Sequence, residues 1–276
     1  MTIERHGFYN PEKFSKIVKW KVDEVLSKGE RIDYLTFVPD GEPTLDSNLG
    51  REISLLKCIR IPIAVLTNAS LVWEETVRES LREADYISLK VDAVSEDLWR
   101  KINMPHKDLK LNTILEGITD FVEDFKGTIS SETMLIDRID YGDEFENIAD
   151  YLKSLKKLDK VYIATPTRPP AERWAQSAKE QVLNEAFQVF SKKIGADKVE
   201  YLIGYEGNTF TSTGKVEEDL LSITAVHPMR KEAVMKFLRK ANADWCLVEE
   251  LLKESKLREL DYEGNVFYMR KLSNKA

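Results

Sequence analysis

A chain of 276 residues is long enough to bury a substantial core and to divide into one large domain and one small one. Its net charge of -7 and pI near 5.3 argue against a protein that coats nucleic acid generally, and leave room only for a local basic patch. Two cysteines, Cys58 and Cys246, are too few for a disulfide framework or a usual cysteine metal site. No apolar run approaches the roughly 20 residues needed to span a membrane, and the start, MTIERHGFYN, lacks the apolar core of a signal peptide. A soluble, cytoplasmic protein is the expectation.

In chain order, Asn10-Pro11 reads as an N-cap with proline in the first turn. Phe14, Ile17, Val18, Val22 and Val25 then recur at helical spacing until Gly29. The segment DYLTFV, residues 33–38, is an apolar run stopped by Pro39. It reads as a buried strand running into the rigid loop PDGEPTLD. Gly41 lets backbone pass close to a ligand and Pro43 fixes the chain after Glu42, so the carboxylate is held at a strand tip. Residues 49–59 read as a helix, 61–66 as a second strand ending in the polar tip Thr67-Asn68-Ala69-Ser70, and 73–83 as a helix. The third strand, 86–91, alternates: Tyr86, Ser88, Lys90 and Asp92 share one face, which predicts a wet cavity, while Ile87, Leu89 and Val91 share the other.

A helical piece at 95–102, the loop NMPHKD and an amphipathic helix at 111–125 lead to a fourth strand at 128–136. That strand carries Glu132, a group costly to bury unless it is paired or solvated. A helix at 143–158, a fifth strand at 160–164 ending in TPTRPP, and a helix at 175–194 complete the series. Strands alternating with helices predict a parallel sheet with right-handed crossovers, whose ligand site lies at the carboxyl ends of its strands. The polar residues collect there: Glu42; Thr67 and Asn68; Lys90 and Asp92; Glu132; Thr165 and Arg168. A doubly wound open sheet is the alternative, although no G-x-G-x-x-G or Walker-type loop is present. His6, His106 and His227 form no ligand-spaced pair, and packing accounts for Trp73, Trp99 and Trp174.

The motifs TFVPDGEPTLDSNLG, IPIAVLTNASLVWEETVR, ADYISLKVDA, WRKINMPHKDL, SSETMLI and TPTRPPAE, in that order, resemble those of radical S-adenosylmethionine (radical SAM) proteins, in the branch related to tRNA wyosine-type synthases. The resemblance covers residues 2–194. It implies a partial β/α barrel lacking its first strand, with S-adenosylmethionine at the strand tips. By position, Gly41-Glu42-Pro43 is similar to the family's glycine-glutamate-proline motif, whose segment receives the methionine amino group. Asn68 and Asp92, with Thr67 beside them, are similar to the residues near the ribose, and Glu132 and Arg168 line the same cavity in that picture. The first glycine of the usual motif is Asp40 here.

In the family a C-x-x-x-C-x-x-C triad holds a four-iron four-sulfur cluster that chelates the cofactor. This chain resembles the family from the segment just after that triad, so on its own it is expected to hold no cluster and to cleave no cofactor reductively. A truncated copy, a half supplied by another chain, and a degenerate relative that keeps binding alone all remain open. With the first strand missing, 33–38 is an unpaired edge prone to self-association or to pairing with a partner chain.

After Gly214 the pattern changes to helices at 229–240 and 244–254 and a hairpin turning at Glu263-Gly264-Asn265, a winged-helix-like arrangement. From Val226 onward eleven Lys/Arg stand against eight Asp/Glu, which is compatible with RNA or DNA contact. The expected domains are thus a barrel at 1–215 and a winged-helix-like domain at 216–276. Two functional classes follow: a radical SAM-type enzyme on an unknown substrate, or a non-catalytic binding or scaffold protein acting through the C-terminal domain.

Overall fold

The structure is a computed structural model that describes residues 2–38, 41–202, 210, 212–226, 228–262 and 264–271. Contacts divide the chain into two compact units. The first comprises Met1–Lys19, Ile32–Pro166 and Ala175–Ile203, and the second Trp20–Arg31, Thr167–Trp174 and Gly204–Ala276.

Helix α1 (Pro11–Ser27) opens with Asn10, whose side chain accepts from the Lys13 N–H at 2.9 Å, as the N-cap reading predicts. The alternating series follows as β1 (Leu35–Phe37), α2 (Leu49–Leu56), β2 (Ile63–Thr67), α3 (Glu75–Leu81), β3 (Tyr86–Lys90), α4 (Glu96–Asn103) and α5 (Leu111–Asp124). It continues through β4 (Thr128–Met134), α6 (Glu144–Ser154), β5 (Lys160–Ala164), α7 (Glu180–Ile194) and β6 (Val199–Leu202). The six strands form one parallel sheet in sequential order, β1-β2-β3-β4-β5-β6. Sequential order with right-handed crossovers puts every connecting helix on the same face of the sheet. That is the geometry of part of a β/α barrel, and it rules out the doubly wound alternative, which needs a reversal of strand order.

The core lies between that face and the helices. Ile63, Val65, Ile87, Leu89, Ile129, Val161 and Ile163 of the strands meet Ile53, Leu81, Ile118, Phe121, Ile148 and Phe190 of the helices, all almost fully buried. Gly117 of α5 is a requirement of this packing, because a Cβ there would stand 2.5 Å from Cα of Trp73. The opposite face of β3 and β4 is polar, as the alternation predicts: Tyr86 shares a 2.5 Å hydrogen bond with Ser130, and Lys90 lies in register with Glu132.

Several boundaries differ from the sequence expectation. Strand β1 has three residues instead of six, and β6 was not foreseen. Residues 175–178 are not helical; Ser177 bridges antiparallel to Ile136, and α7 begins only at Glu180.

The second unit contains α8 (Val216–Val226), β7 (Met229–Arg230), α9 (Lys231–Lys240), α10 (Cys246–Lys253), β8 (Leu257–Tyr262) and β9 (Asn265–Arg270), with sheet order β7-β9-β8. Val234, Phe237, Val248, Leu251, Leu257 and Tyr268 form its core. The first expected helix here gives way to β7 and then α9, and α8 was not foreseen. His227, Glu263 and Asp40 lie outside the described residues. Among the described residues no helix is long and apolar enough to cross a membrane.

Candidate functional site

The carboxyl ends of β1 to β5 carry the polar groups, and most of those groups bond to one another across adjacent strands. Glu42 is 7% exposed, and its carboxylate turns inward. Its Oε1 accepts from the Thr44 N–H at 3.0 Å, the Thr44 hydroxyl at 2.7 Å and the Thr67 hydroxyl at 2.5 Å, while Oε2 accepts from the Asn68 N–H at 2.7 Å. The loop after β1 is thereby fastened to the tip of β2. Burial pushes the Glu42 carboxyl above its ordinary pKa, and the Thr67, Thr44 and Asn68 donors pull against that. Pro43 is buried directly behind it and opens a short 3-10 turn over Pro43–Leu45. Gly41 and Pro43 therefore serve by placing backbone.

Asp92 performs the same work between β3 and β4. Its Oδ1 accepts from the Met134 N–H at 2.7 Å and its Oδ2 from the Asn103 side chain at 2.6 Å, which ties the C-terminal end of α4 to the sheet. Burial raises the Asp92 carboxyl above the ordinary range, against the pull of Lys90, Met134 and Asn103. The third stitch is Thr165, whose hydroxyl donates to the Leu135 carbonyl at 3.0 Å and accepts from the Ala178 N–H at 2.8 Å. Glu144, at the start of α6 and not singled out in the sequence, accepts from the Val94 and Ser95 N–H groups at 2.6 and 2.8 Å and anchors the turn after β3.

Glu132 is half-buried, and its partner is Lys90 at 3.4 Å. Burial works to lower the Lys90 ammonium, but the Asp92 and Glu132 carboxylates outweigh it, so its pKa ends above the ordinary value. The structure thus brings Glu42, Thr67 and Asn68 together at one end of the rim and Lys90, Asp92 and Glu132 further along it. Arg168 belongs to the second compact unit.

Two cavities flank the Gly41–Glu42 loop. One, of about 320 Å³, has a wall of Trp99, Pro105, Leu109 and Ile114, with Asn68 and Asn103 among its polar groups. Asn68 is exposed, and among the described residues its side chain accepts only from the Ser70 N–H, at 2.9 Å. Asn103 was missed in the sequence: its Nδ2 holds Asp92, and its buried Oδ1 has no hydrogen-bond partner among the described residues. Its position in NMPHKD beside the weighed His106 was the only available signal. His106 lines the same cavity and lies 3.6 Å from Asp108. The second cavity, of about 470 Å³, is bounded by β1, α2 and residues 8–14. Glu52 of α2 lines it; burial, with a smaller push from Asp46, raises the Glu52 carboxyl to about 7.

The chain's residues do not fit a four-iron cluster, which needs several converging thiolates. Cys58 and Cys246 are both exposed and lie in different units, and among the described residues no group of three or more His, Cys, Asp or Glu could hold a metal ion. The smaller cavity pairs an apolar wall with the exposed amide of Asn68.

Comparison with known proteins adds the following. A family model described as the Radical SAM superfamily matches residues 10–152. The UPF0026 protein MJ1312 of Methanocaldococcus jannaschii is similar at 44% identity over 99% of this chain and 85% of its own length. A protein of Brachyspira hyodysenteriae named GTPase Obg is 30% identical over 90% of this chain but only 37% of its own length. A crystal structure of archaeal TYW1 aligns with 13% identity and a TM-score of 0.49, over 70% of this chain and 66% of that one.

Two outcomes are expected from the buried carboxylates. In Glu42→Gln the amide must turn a donor toward one of two backbone N–H groups, of Thr44 or Asn68, so stability in urea should fall by about 1–3 kcal/mol; an unchanged midpoint would disprove the stitch. Because the folded Glu52 carboxyl titrates above its unfolded value, its contribution is present at low pH and is lost as pH rises from about 4.5 to about 7. Unfolding free energy measured across that window should decline less in Glu52→Gln than in the parent, and parallel curves would refute the assignment.

Proposed function

The chain belongs to the radical SAM superfamily, and on that premise we propose that the rim of β1 to β4 binds S-adenosylmethionine. The nucleoside would enter the cavity bounded by Asn68, Trp99, Asn103 and Pro105. The observation that carries this reading is the cavity itself, whose apolar wall of Trp99, Pro105, Leu109 and Ile114 stands with the exposed Asn68 amide at the tip of β2. Trp99, Leu109 and Ile114 would exclude water from one side of the ligand. Asn68, at the tip of β2, and the Gly41 backbone would orient the other.

The chemistry that the family's cofactor supplies when bound is radical generation by reductive cleavage at an iron–sulfur cluster. The two cysteines of this chain cannot hold such a cluster, so the enzyme reading requires thiolates from beyond these residues. Within the chain, Lys90 and Glu132 form a half-buried charged pair on the polar face of β3 and β4. They are the groups best placed to hold a proton or a polar substrate there.

Calorimetric titration of S-adenosylmethionine, without oxygen, tests the site apart from the chemistry. Saturable binding is expected, weakened by about tenfold in Asn68→Ala, whose urea midpoint should stay with the parent because its exposed side chain bonds the neighbouring turn at Ser70. A folded chain that binds nothing at millimolar cofactor would sink this reading.

A second reading concerns the C-terminal unit: we propose that its order α8, β7, α9, α10, β8, β9, with sheet order β7-β9-β8, makes a winged-helix-like domain. We propose a contact role for it, with RNA or DNA as the partner that its local basic excess favours. Fluorescence anisotropy with labelled duplexes should show binding that weakens steeply between 50 and 200 mM salt. No binding at the lower salt would redirect attention to a protein partner.

A further inference from the structure

The charge of the C-terminal unit is divided between two neighbouring helices. Helix α9 carries Lys231, Lys236, Arg239 and Lys240 against Glu232, and by itself accounts for the whole positive excess after Val226. Helix α10 and its flanks carry Asp244, Glu249, Glu250 and Glu254 against Lys253 alone. All of these side chains are exposed.

Packing fixes which way each helix faces. Ala233, Val234, Phe237 and Leu238 bury the inner side of α9, and Val248 and Leu251 that of α10, so the charged sides are held outward. On α9, Lys236, Arg239 and Lys240 stand at i, i+3 and i+4 and form one cluster on the surface. Lys240 is paired with Glu30, whereas neither Lys236 nor Arg239 has a carboxylate partner among the described residues. Like charges at this spacing repel one another, and a row of phosphates relieves the repulsion.

In helix-turn-helix proteins the second helix of the pair enters the major groove. Here that helix is α10, and the phosphates on both sides of a groove would repel its outward carboxylates. The exposed side of α9 presents no aromatic ring on which an unpaired base could stack, which disfavours a single strand. Granted the nucleic-acid reading of this unit, on which the assignment rests, we propose that it binds a duplex through the outer face of α9, with Lys236 and Arg239 on the phosphates and α10 turned away from the grooves. Such a contact is independent of base sequence, because phosphates position a protein and base edges specify it.

The test follows anisotropy of two labelled DNA duplexes of equal length and unrelated sequence, and of an RNA duplex of that length, as the full chain is added. Affinities for the two DNA duplexes should agree within about threefold. The slope of log affinity against log salt should become shallower by about one in Lys236→Gln and by about two in Lys236→Gln/Arg239→Gln, with the RNA duplex following the same order. Glu249→Gln/Glu250→Gln should keep the parent's slope, and its affinity within about twofold. All four positions are exposed, so the variants should keep the parent's urea midpoint and a loss of binding is not a loss of fold. A parental slope in the double variant of α9 would overturn the assignment and leave the nucleic-acid reading standing; tighter binding in the glutamate variant would then seat the duplex on α10. A preference of more than about tenfold for one DNA sequence would also overturn it, by requiring base contacts. Absence of binding to either kind of duplex at about 50 mM salt would end both readings together. Tighter binding of a single strand, or of phosphatidylserine vesicles, would overturn the assignment and give α9 to that partner.

Discussion

The Glu42 carboxylate is the joint on which the strand-tip region depends. Moving a carboxylate out of water costs several kcal/mol, and each hydrogen bond to a charged group returns about 1.5–3 kcal/mol. Glu42 receives four such bonds, from Thr44, Thr67 and Asn68. With one or two donors the group would be a liability; with four it is tolerated. The arrangement therefore exists only when Glu42 and the tip of β2 are both in place, which fastens Glu42 there and places Gly41 between two cavities.

The same solution recurs around the rim. Asp92 ties β3 to β4 and to α4, Thr165 ties β5 to β4, and Glu144 fixes the turn that leads into α4. The charged groups that look from the sequence like ligand contacts are largely spent on holding strands together. What remains open is of another kind: the amide of Asn68, the backbone at Gly41, and the Lys90–Glu132 pair. A rim whose scaffold is stitched from beneath holds such groups in fixed geometry without the entropy cost of ordering them on binding.

How much of this was legible follows from how local each cause is. Strands β2, β3 and β5 could be read because apolar runs ended in polar or proline tips, and the alternation of Tyr86 to Val91 correctly divided β3 into a polar and a buried face. Strand β6, Val199–Leu202, shows only two apolar positions among Glu200 and Tyr201 and owes its existence to pairing with β5. Residues 175–178 carry helix-compatible side chains, yet the backbone hydrogen bond from Asp137 to Gln176 draws them into an antiparallel bridge. Local propensity loses there to a long-range partner.

The sequence by itself determined the class of fold, the ends of the strands at which polar groups would gather, and membership of the family, because periodicity, punctuation by proline and glycine, and ordered motifs are properties of neighbouring residues. Only the tertiary structure decided what those polar groups do. It turned Glu42 and Asp92 inward as fasteners, left Asn103 Oδ1 without a partner among the described residues, and buried Glu52 in the wall of a cavity. The reason is that the state of a carboxylate or amide depends on donors brought to it from 25 to 42 residues away, as Thr67 is to Glu42 and Met134 to Asp92, and no local pattern records which donors arrive.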